Sequence, residues 1–225
     1  MPFVDLGLKA RTAGSEYGEQ TLRVAELLER MSANAGREAR PAVVWFFDPA
    51  DDVAATGFDA NVRRNEQVAL ALSAFRCYRV NVETIDSEAV RAEYARVLPA
   101  VHFFGPDNAL LGRMEGKKAY SLAGFSGALE SAWARSFTTP MKGYTRDMAR
   151  VLDSLDKVDG RKQILARERA RLAAKPDPRR ERELAADEAK LKLEEEKVLA
   201  EEKRVRSEVA LRPEYLKADE TARAR

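Results

Sequence analysis

Few residues of this chain belong to the types that carry chemistry. Its 225 residues include one cysteine, Cys77, and one histidine, His102. A single thiol cannot form a dithiol–disulfide pair or a cysteine-based zinc site. Both residues stand in apolar, strand-like stretches, which favours a small core residue at Cys77 and a structural histidine at 102. The alternative is a single-thiol redox protein, which would need Cys77 to be exposed in a positively charged environment.

Carboxylates form the other candidate cluster. Asp48, Asp51 and Asp52 directly follow the apolar run from Ala42 to Phe47. Aspartates between a strand and a helix typically accept hydrogen bonds from backbone N–H groups, and this interpretation is favoured because a metal site would need further ligands. The chain also lacks the common nucleotide-binding, serine-hydrolase and zinc-protease motifs. We therefore expect no metal and no cofactor.

Composition limits where the chain acts and on what. Charged residues make up 34% of the chain, yet the net charge is only +2. A balance this close to zero predicts no attraction of the whole chain to nucleic acid or membranes. The N-terminus lacks the apolar core of a secretory signal, and no apolar run approaches the ~18 residues of a membrane span. The sequence thus predicts a cytoplasmic protein without a membrane partner.

The hydrophobic periodicity of the first 137 residues alternates between helical and strand-like. After an N-terminal arm at 1–15 it predicts a helix at 16–35, a buried strand at 41–48, a helix at 52–74, a strand at 75–83, a short helix from Asp86 or Ser87 to Val97, a strand at 100–104, a turn at 105–108, a strand at 109–114 and a helix at 121–137. Gly57 and Asn65 are the points where the second helix would bend or break. A strand–helix–strand order implies a right-handed parallel crossover. The predicted fold class is α/β, with a mixed four-strand sheet and helices on both faces.

Several local sequences in this region resemble the thioredoxin-like superfamily. They are AVVWFFD at 42–48, RCYRVNVE at 76–83, the Leu98-Pro99 entry to AVHFF, and the turn GPDN. The resemblance covers about Arg40 to Phe137. It implies that Pro99 is cis and that Leu98 and Pro99 border a groove for an extended peptide.

The chain departs from this family at its redox motif. Redox-active members carry Cys-x-x-Cys where the helix after the first buried strand begins, and this chain has Val53, Ala54, Ala55 and Thr56 there. The chemistry needs a thiolate at a helix N-terminus and a second thiol one turn later. The sequence thus excludes a dithiol oxidoreductase and leans against an enzyme. Leu98 and Pro99 then become a docking groove without catalysis.

The composition changes at Thr138-Thr139-Pro140, where a helix-forming region begins. Pro176-Asp177-Pro178 interrupts it and Pro213 ends it,. Two helices of about 33 residues would each be roughly 50 Å long. The predicted organisation is a thioredoxin-like domain at 16–137, a linker at 138–140, a hairpin at 141–212 with its turn at 176–178, and a tail at 213–225.

Apolar residues recur every seventh position in both helices, which is typical of coiled coils. Folding at the turn pairs Leu172 with Leu184, Leu165 with Leu191, Val158 with Val198 and Val151 with Val205. In each pair the residue numbers add up to the same value, as one antiparallel register requires. The layers between them place Arg169 near Glu188 and Lys162 near Glu195. This predicts an intramolecular antiparallel coiled coil, the alternatives being one solvated helical tail or an intermolecular coil.

The predicted tip of this hairpin is basic. The segment 161–182 has nine positive and three negative residues, a net charge of +6. One interpretation is a solvated end without a partner; the other is a binding surface, for which the expected residues are Arg167, Arg171, Lys175, Arg179 and Arg180. An acidic protein or nucleic-acid phosphates would fit this charge, although the tip has no aromatic residue for base stacking.

Two hypotheses of function follow, and a third comes from the tip. The leading one is a non-catalytic adaptor, scaffold or chaperone-like module, built on a redox-inactive thioredoxin-like domain with a coiled-coil arm. The second is the single-thiol redox protein that would use Cys77. The third is nucleic-acid or ribosome binding through the basic tip.

Overall fold

The computed structural model describes residues 4–5, 40–48, 50, 57–85 and 88–215. The chain divides into two compact units. The first runs to Met141 and resumes at Ala210, and the second is Lys142–Val209. Predictions for the helix at 16–35, for Asp51, Asp52, Val53 to Thr56, Asp86 and Ser87, and for the tail beyond Tyr215 lie outside the described residues.

A mixed sheet forms the centre of the first unit. Its strands are β1 (Val4–Asp5), β2 (Ala42–Phe47), β3 (Arg76–Asn81), β4 (Ala100–Phe104) and β5 (Leu110–Glu115), in the spatial order β1-β3-β2-β4-β5. Strands β1 and β2 run parallel to β3, while β4 runs antiparallel to β2 and to β5. The predicted mixed four-strand sheet is confirmed, and the two-residue strand β1 extends it at the β3 edge.

In the described residues, helical segments connect these strands or follow β5. They are α1 (Glu66–Leu72), α2 (Glu88–Tyr94) and α3 (Leu122–Ser136), with a π-helical turn at Asp59–Arg63 and 3-10 turns at Val82–Thr84 and Gly116–Tyr120. The prediction of one helix through 52–74 is wrong, because Asn65 caps a new helix by accepting a hydrogen bond from the Val68 N–H at 3.1 Å,. The predicted break at Asn65 is therefore confirmed.

Strand β2 is buried on both faces of the sheet. On one face Trp45 stacks on Phe58, with 4.2 Å between ring centroids, and Phe125 of α3 packs against Phe58 and Phe103. The other face belongs to an apolar cluster that includes Val44, Phe46, Tyr78, Val80, Val82, Ile85, Ala95 and Phe104. Burial on both sides explains why the strand reads as a continuous apolar run.

The turn between β4 and β5 has the chemistry that its sequence predicts. Asn108 takes a positive φ of 63°, and its N–H donates to the Gly105 carbonyl at 3.0 Å. The Asp107 carboxylate accepts from the Ala109 N–H at 3.1 Å. Asparagine tolerates this left-handed backbone better than most residues do.

The end of the chain returns to the first unit after the long helices. The Thr138 N–H donates to the Ala210 carbonyl and the Arg212 N–H to the Ser136 carbonyl, both at 3.0 Å, and Phe137 pairs with Leu211. The predicted helix end at Arg212 is wrong, because the helix stops at Ser207 and this antiparallel pairing follows. Residues at both ends of the hairpin are thus joined by backbone hydrogen bonds.

The second unit is a helical hairpin of α4 (Met141–Ala174) and α5 (Pro178–Ser207). Asp177 caps α5 by accepting from the N–H groups of Arg179 and Arg180, at 3.0 and 3.3 Å. The two helices pair within one chain and in the predicted register. Lys162 contacts Glu195 at 2.6 Å and Arg169 contacts Glu188 at 3.0 Å. The buried apolar side chains of the pairing layers are Val151, Val158, Leu184, Leu191 and Val205.

Neither helix of the hairpin is a candidate membrane span. Within the described ranges, every helix is too short or too polar to cross a bilayer.

The register predicts which engineered cysteines can meet. Leu165 and Leu191 line the same small groove of the hairpin. In a Cys77→Ala background, the pair Leu165→Cys and Leu191→Cys should form an intrachain disulfide under mild oxidation. The product is expected to migrate as a compact monomer on a non-reducing gel.

The control pair is Leu165→Cys with Val198→Cys, which lies one heptad out of register. Equal crosslinking of both pairs, or a disulfide-linked dimer from the first, would contradict the intramolecular register.

Candidate functional site

Cys77 lies in β3, paired with Val43 of β2. Its side chain is partly buried, and its Sγ is 3.6 Å from the Leu72 carbonyl oxygen. Burial raises the pKa of the thiol to about 12. The thiol is therefore protonated at neutral pH, whereas thiol chemistry needs the thiolate.

The two arginines beside Cys77 are engaged elsewhere. Arg76 donates two hydrogen bonds to the Arg40 carbonyl oxygen, at 3.2 and 2.9 Å. The guanidinium of Arg79 stacks on Phe47, 3.8 Å from the ring centroid. Burial of the thiol has the largest effect on its pKa, and the neighbouring arginines do not offset it,.

His102 lies in β4, where it is almost fully buried. Its ring packs edge-on against Phe46, with 5.1 Å between centroids, and is 6.2 Å from Phe104. Burial and the positive charge of Arg113, its partner residue in β5, lower the pKa of His102 to about 4. The imidazole is therefore neutral at pH 7, and its aromatic neighbours give it the surroundings of a core residue.

Asp48 has the role of a turn residue. Its carboxylate accepts a hydrogen bond from the Ala50 N–H at 2.8 Å. Asp51 and Asp52 lie outside the described residues. Within the ranges that the structure covers, no three His, Cys, Asp or Glu side chains are grouped as metal ligands would be.

The Leu98–Pro99 peptide bond is cis, as the family resemblance implies. Pro99 is buried, and its carbonyl accepts from the Gly116 N–H at 2.9 Å. Beside this loop, Val97 exposes 47% of its surface. The loop therefore combines a buried proline with an exposed apolar side chain, a surface that an extended peptide can contact.

The 3-10 turn Gly116–Tyr120 lies between this loop and Gly57. At one end, a Cβ on Gly116 would lie 3.5 Å from Val97. At the other end the ring of Tyr120 covers Gly57, where an added Cβ would be 3.2 Å from the ring. Gly57 directly follows Val53 to Thr56, which are outside the described residues. The structure therefore places the proline loop and Gly57 at opposite ends of one short segment.

Three cations in the middle of the hairpin are matched by carboxylates across the helix pair. Arg161 pairs with Glu194, Lys162 with Glu195 and Arg169 with Glu188. The five predicted tip residues are not all matched in this way. Arg179 and Arg180 contact Glu183 at 3.3 and 2.9 Å, and Arg180 also contacts Glu168 at 2.8 Å.

The other three predicted tip residues, Arg167, Arg171 and Lys175, are exposed. Within the part of the chain that the structure describes, none of them has a carboxylate within 4.0 Å. The tip therefore keeps positive charge that the hairpin itself does not neutralise.

Sequence reasoning missed a groove in the other half of the hairpin. Its volume is about 550 Å³, and its lining residues are Arg146, Asp147, Arg150, Val151, Ser154, Lys197, Val198, Glu201 and Arg204. Four of these are cations and two are carboxylates. The sequence does contain a signal for this groove, because cations recur every seven residues on both helices. They are Arg150 and Lys157 on α4, and Lys190, Lys197 and Arg204 on α5.

Comparison with known proteins gives structural neighbours but no family. No protein-family model matches the chain, and no curated protein matches it. A thioredoxin from Thermus thermophilus is similar in structure, with 22% identity, a TM-score of 0.37, and coverage of 45% of this chain and 79% of that one. A disulphide isomerase from Xylella fastidiosa Temecula1 shows 15% identity and a TM-score of 0.37, covering 54% of this chain and 96% of that one.

The order and direction of the strands define the class of the first unit. It has a thioredoxin-like fold, in which β2 lies between parallel β3 and antiparallel β4. The chain combines this fold with a single cysteine and a long helical hairpin.

The raised pKa of Cys77 predicts slow thiol labelling. In the native protein at pH 7, a disulfide reagent should modify Cys77 more than about a thousandfold more slowly than in denaturant, because almost no thiolate is present. A Cys77→Ala/Ser131→Cys variant provides an exposed thiol as control. Native labelling of Cys77 at the rate of that control would show an accessible, reactive thiol.

The lowered pKa of His102 predicts a pH dependence of stability. The unfolded chain takes up a proton near pH 6.5, whereas the folded chain does so only near pH 4. Stability is therefore fully present above pH 6.5 and falls as the pH drops toward 4, by about 2 kcal/mol at pH 5. Urea unfolding of the wild type and of His102→Phe at several pH values measures how the free energy of unfolding depends on pH. Equal slopes for the two proteins would show that His102 does not cause the loss.

Proposed function

We propose that this chain is a non-catalytic protein-interaction module of the thioredoxin-like superfamily, acting as an adaptor, scaffold or chaperone-like protein. Its helical hairpin binds an acidic protein partner through the tip. Its thioredoxin-like domain supplies a second docking surface at Leu98 and Pro99.

One observation carries this proposal, namely the uneven pairing of charges along the hairpin. Arg161, Lys162 and Arg169 have carboxylate partners across the hairpin, whereas Arg167, Arg171 and Lys175 at the tip have no carboxylate within 4.0 Å among the described residues. Surface ion pairs stabilise a fold only slightly, so unmatched cations cost the hairpin little. They remain available to attract an acidic surface and to speed its association.

The chemistry of the first unit agrees with a non-catalytic role. The pKa of Cys77 is raised to about 12, the opposite of the shift that activates a thiol,. The imidazole of His102 is buried among aromatic rings, where a substrate has no access. The loop at Leu98 and Pro99 offers backbone and an exposed apolar side chain, which suit binding of an extended peptide.

Nucleic acid is the second candidate partner of the tip, since exposed arginines also suit phosphates. Its lack of aromatic side chains removes the stacking that strengthens single-strand binding,. The protein partner is therefore preferred, and nuclease treatment separates the two.

If the tip binds a partner through its positive charge, reversing that charge should release the partner. The double variant Arg167→Glu/Lys175→Glu breaks no ion pair within the described residues, so the hairpin should keep its helicity. Proteins that co-purify with the tagged full chain are expected to be reduced about tenfold in this variant, as quantified by mass spectrometry.

The matched control is Lys192→Glu/Lys203→Glu, which reverses two exposed cations of α5 away from the tip. It should keep the wild-type set of bound proteins. The proposal is wrong if both variants retain the same proteins, and nuclease-sensitive recovery would favour nucleic acid instead.

A further inference from the structure

The groove in the second unit lies between α4 and α5. Val151 and Val198 supply its apolar lining, and Val198 is only partly buried although it belongs to a pairing layer. Ser154 adds a small polar side chain. A trough between two helices in which an apolar side chain, here Val198, is partly exposed has the shape that accepts a third helix,.

Cations line the outer edges of this groove at heptad spacing. Arg150 on α4, and Lys197 and Arg204 on α5, belong to the lining itself. Lys157 and Arg171 continue the α4 column, and Lys190 continues the α5 column, because residues seven apart share a face of a coiled-coil helix. We call these six residues the cationic face.

Part of this charge has no counterpart within the hairpin. Arg150 and Arg204 contact Asp147 and Glu201, respectively, beside the groove. By contrast, Lys157, Arg171 and Lys197 have no carboxylate within 4.0 Å among the described residues. The unmatched cations thus stand on both edges of the trough.

Ile164 interrupts the α4 column with an apolar side chain. It holds the position between Lys157 and Arg171 in the seven-residue spacing, and it exposes 56% of its surface. A large exposed apolar residue on a helix this polar costs solvation free energy unless something covers it. The cationic face therefore offers apolar contact as well as charge.

From these features we propose that the cationic face binds an acidic amphipathic helix of a partner protein as a third helix of the coiled coil. Its apolar stripe contacts Val151, Val198 and Ile164. Its glutamates or aspartates, at the positions that flank the stripe, pair with Lys157, Arg171 and Lys197. This inference rests on the proposed interaction function and names the chemistry of the partner.

The groove favours a helix over nucleic acid or a second copy of the hairpin. Asp147 and Glu201 line the groove and would repel phosphates that entered it,. Two cationic faces would repel each other in a face-to-face dimer. An acidic helix avoids both penalties, because its charges flank the groove while its apolar side chains fill it.

The test uses the full chain and a fluorescent synthetic helix of three heptads. The probe has leucine at the core positions and glutamate at the flanking positions. Anisotropy should show saturable binding that weakens with salt. A matched peptide with lysine in place of glutamate should bind at least about tenfold more weakly.

Two variants of the chain assign the site. Lys157→Glu/Lys197→Glu should weaken binding of the acidic probe about tenfold, since each reversal turns an attraction into a repulsion. Lys192→Glu/Lys203→Glu changes the net charge equally at other heptad positions and should leave the Kd within about twofold. Circular dichroism of both variants confirms that the helices are retained.

Absence of binding, equal binding of the two peptides, or an equal effect of the two variants would overturn the inference. Tighter binding of an RNA or DNA oligonucleotide to the same face would overturn it in favour of nucleic acid. The tip variant Arg167→Glu/Lys175→Glu spares the cationic face, so it distinguishes the two proposals. If recovery of the co-purifying proteins depends on the tip but the acidic peptide does not bind, only the proposed binding of a third helix is refuted.

Discussion

The antiparallel register of the two long helices determines which charges of this protein face one another and which do not. Lys162 meets Glu195 and Arg169 meets Glu188 because the turn at Asp177 aligns the apolar layers in a single way. A cation outside these layers is paired only where a carboxylate lies close to it, and several such cations have no carboxylate within reach among the described residues. The tip and the cationic face are therefore consequences of the register, and a shift of one heptad would produce a different surface.

In the first unit, burial determines the protonation of Cys77 and His102. Strand β2 is buried on both faces, so the neighbouring strands place their side chains in an apolar environment. The same burial raises the pKa of Cys77 and lowers that of His102. In both cases the neutral form is favoured, because a charge would lose its hydration. The two residues with the most reactive side-chain types are thereby kept uncharged at neutral pH.

Local chemistry and burial made much of this fold predictable from sequence. The run AVVWFFD predicts a strand covered on both faces, Asn65 predicts a helix break, and GPDN predicts the turn between β4 and β5. Strand β1 was not predictable, since two residues carry no alternation. The pairing of Thr138 with Ala210 joins residues 72 positions apart, and no local pattern signals it.

The candidate sites were less predictable, because they depend on the reach of side chains. Sequence reasoning grouped Arg179 and Arg180 with Arg167, Arg171 and Lys175 as one basic tip. The structure pairs the first two with glutamates and leaves the other three exposed. The groove was missed for a related reason, since a seven-residue spacing of apolar residues predicts the pairing of the helices but not which cations stay unmatched beside them.

Hydrogen–deuterium exchange on the full chain, with and without its co-purified partner, reports where the partner lies on the protein. We expect the partner to slow exchange in the hairpin, in the segments that carry Arg167 to Lys175 and Lys197. Slower exchange confined to the thioredoxin-like domain, with an unchanged hairpin, would contradict it.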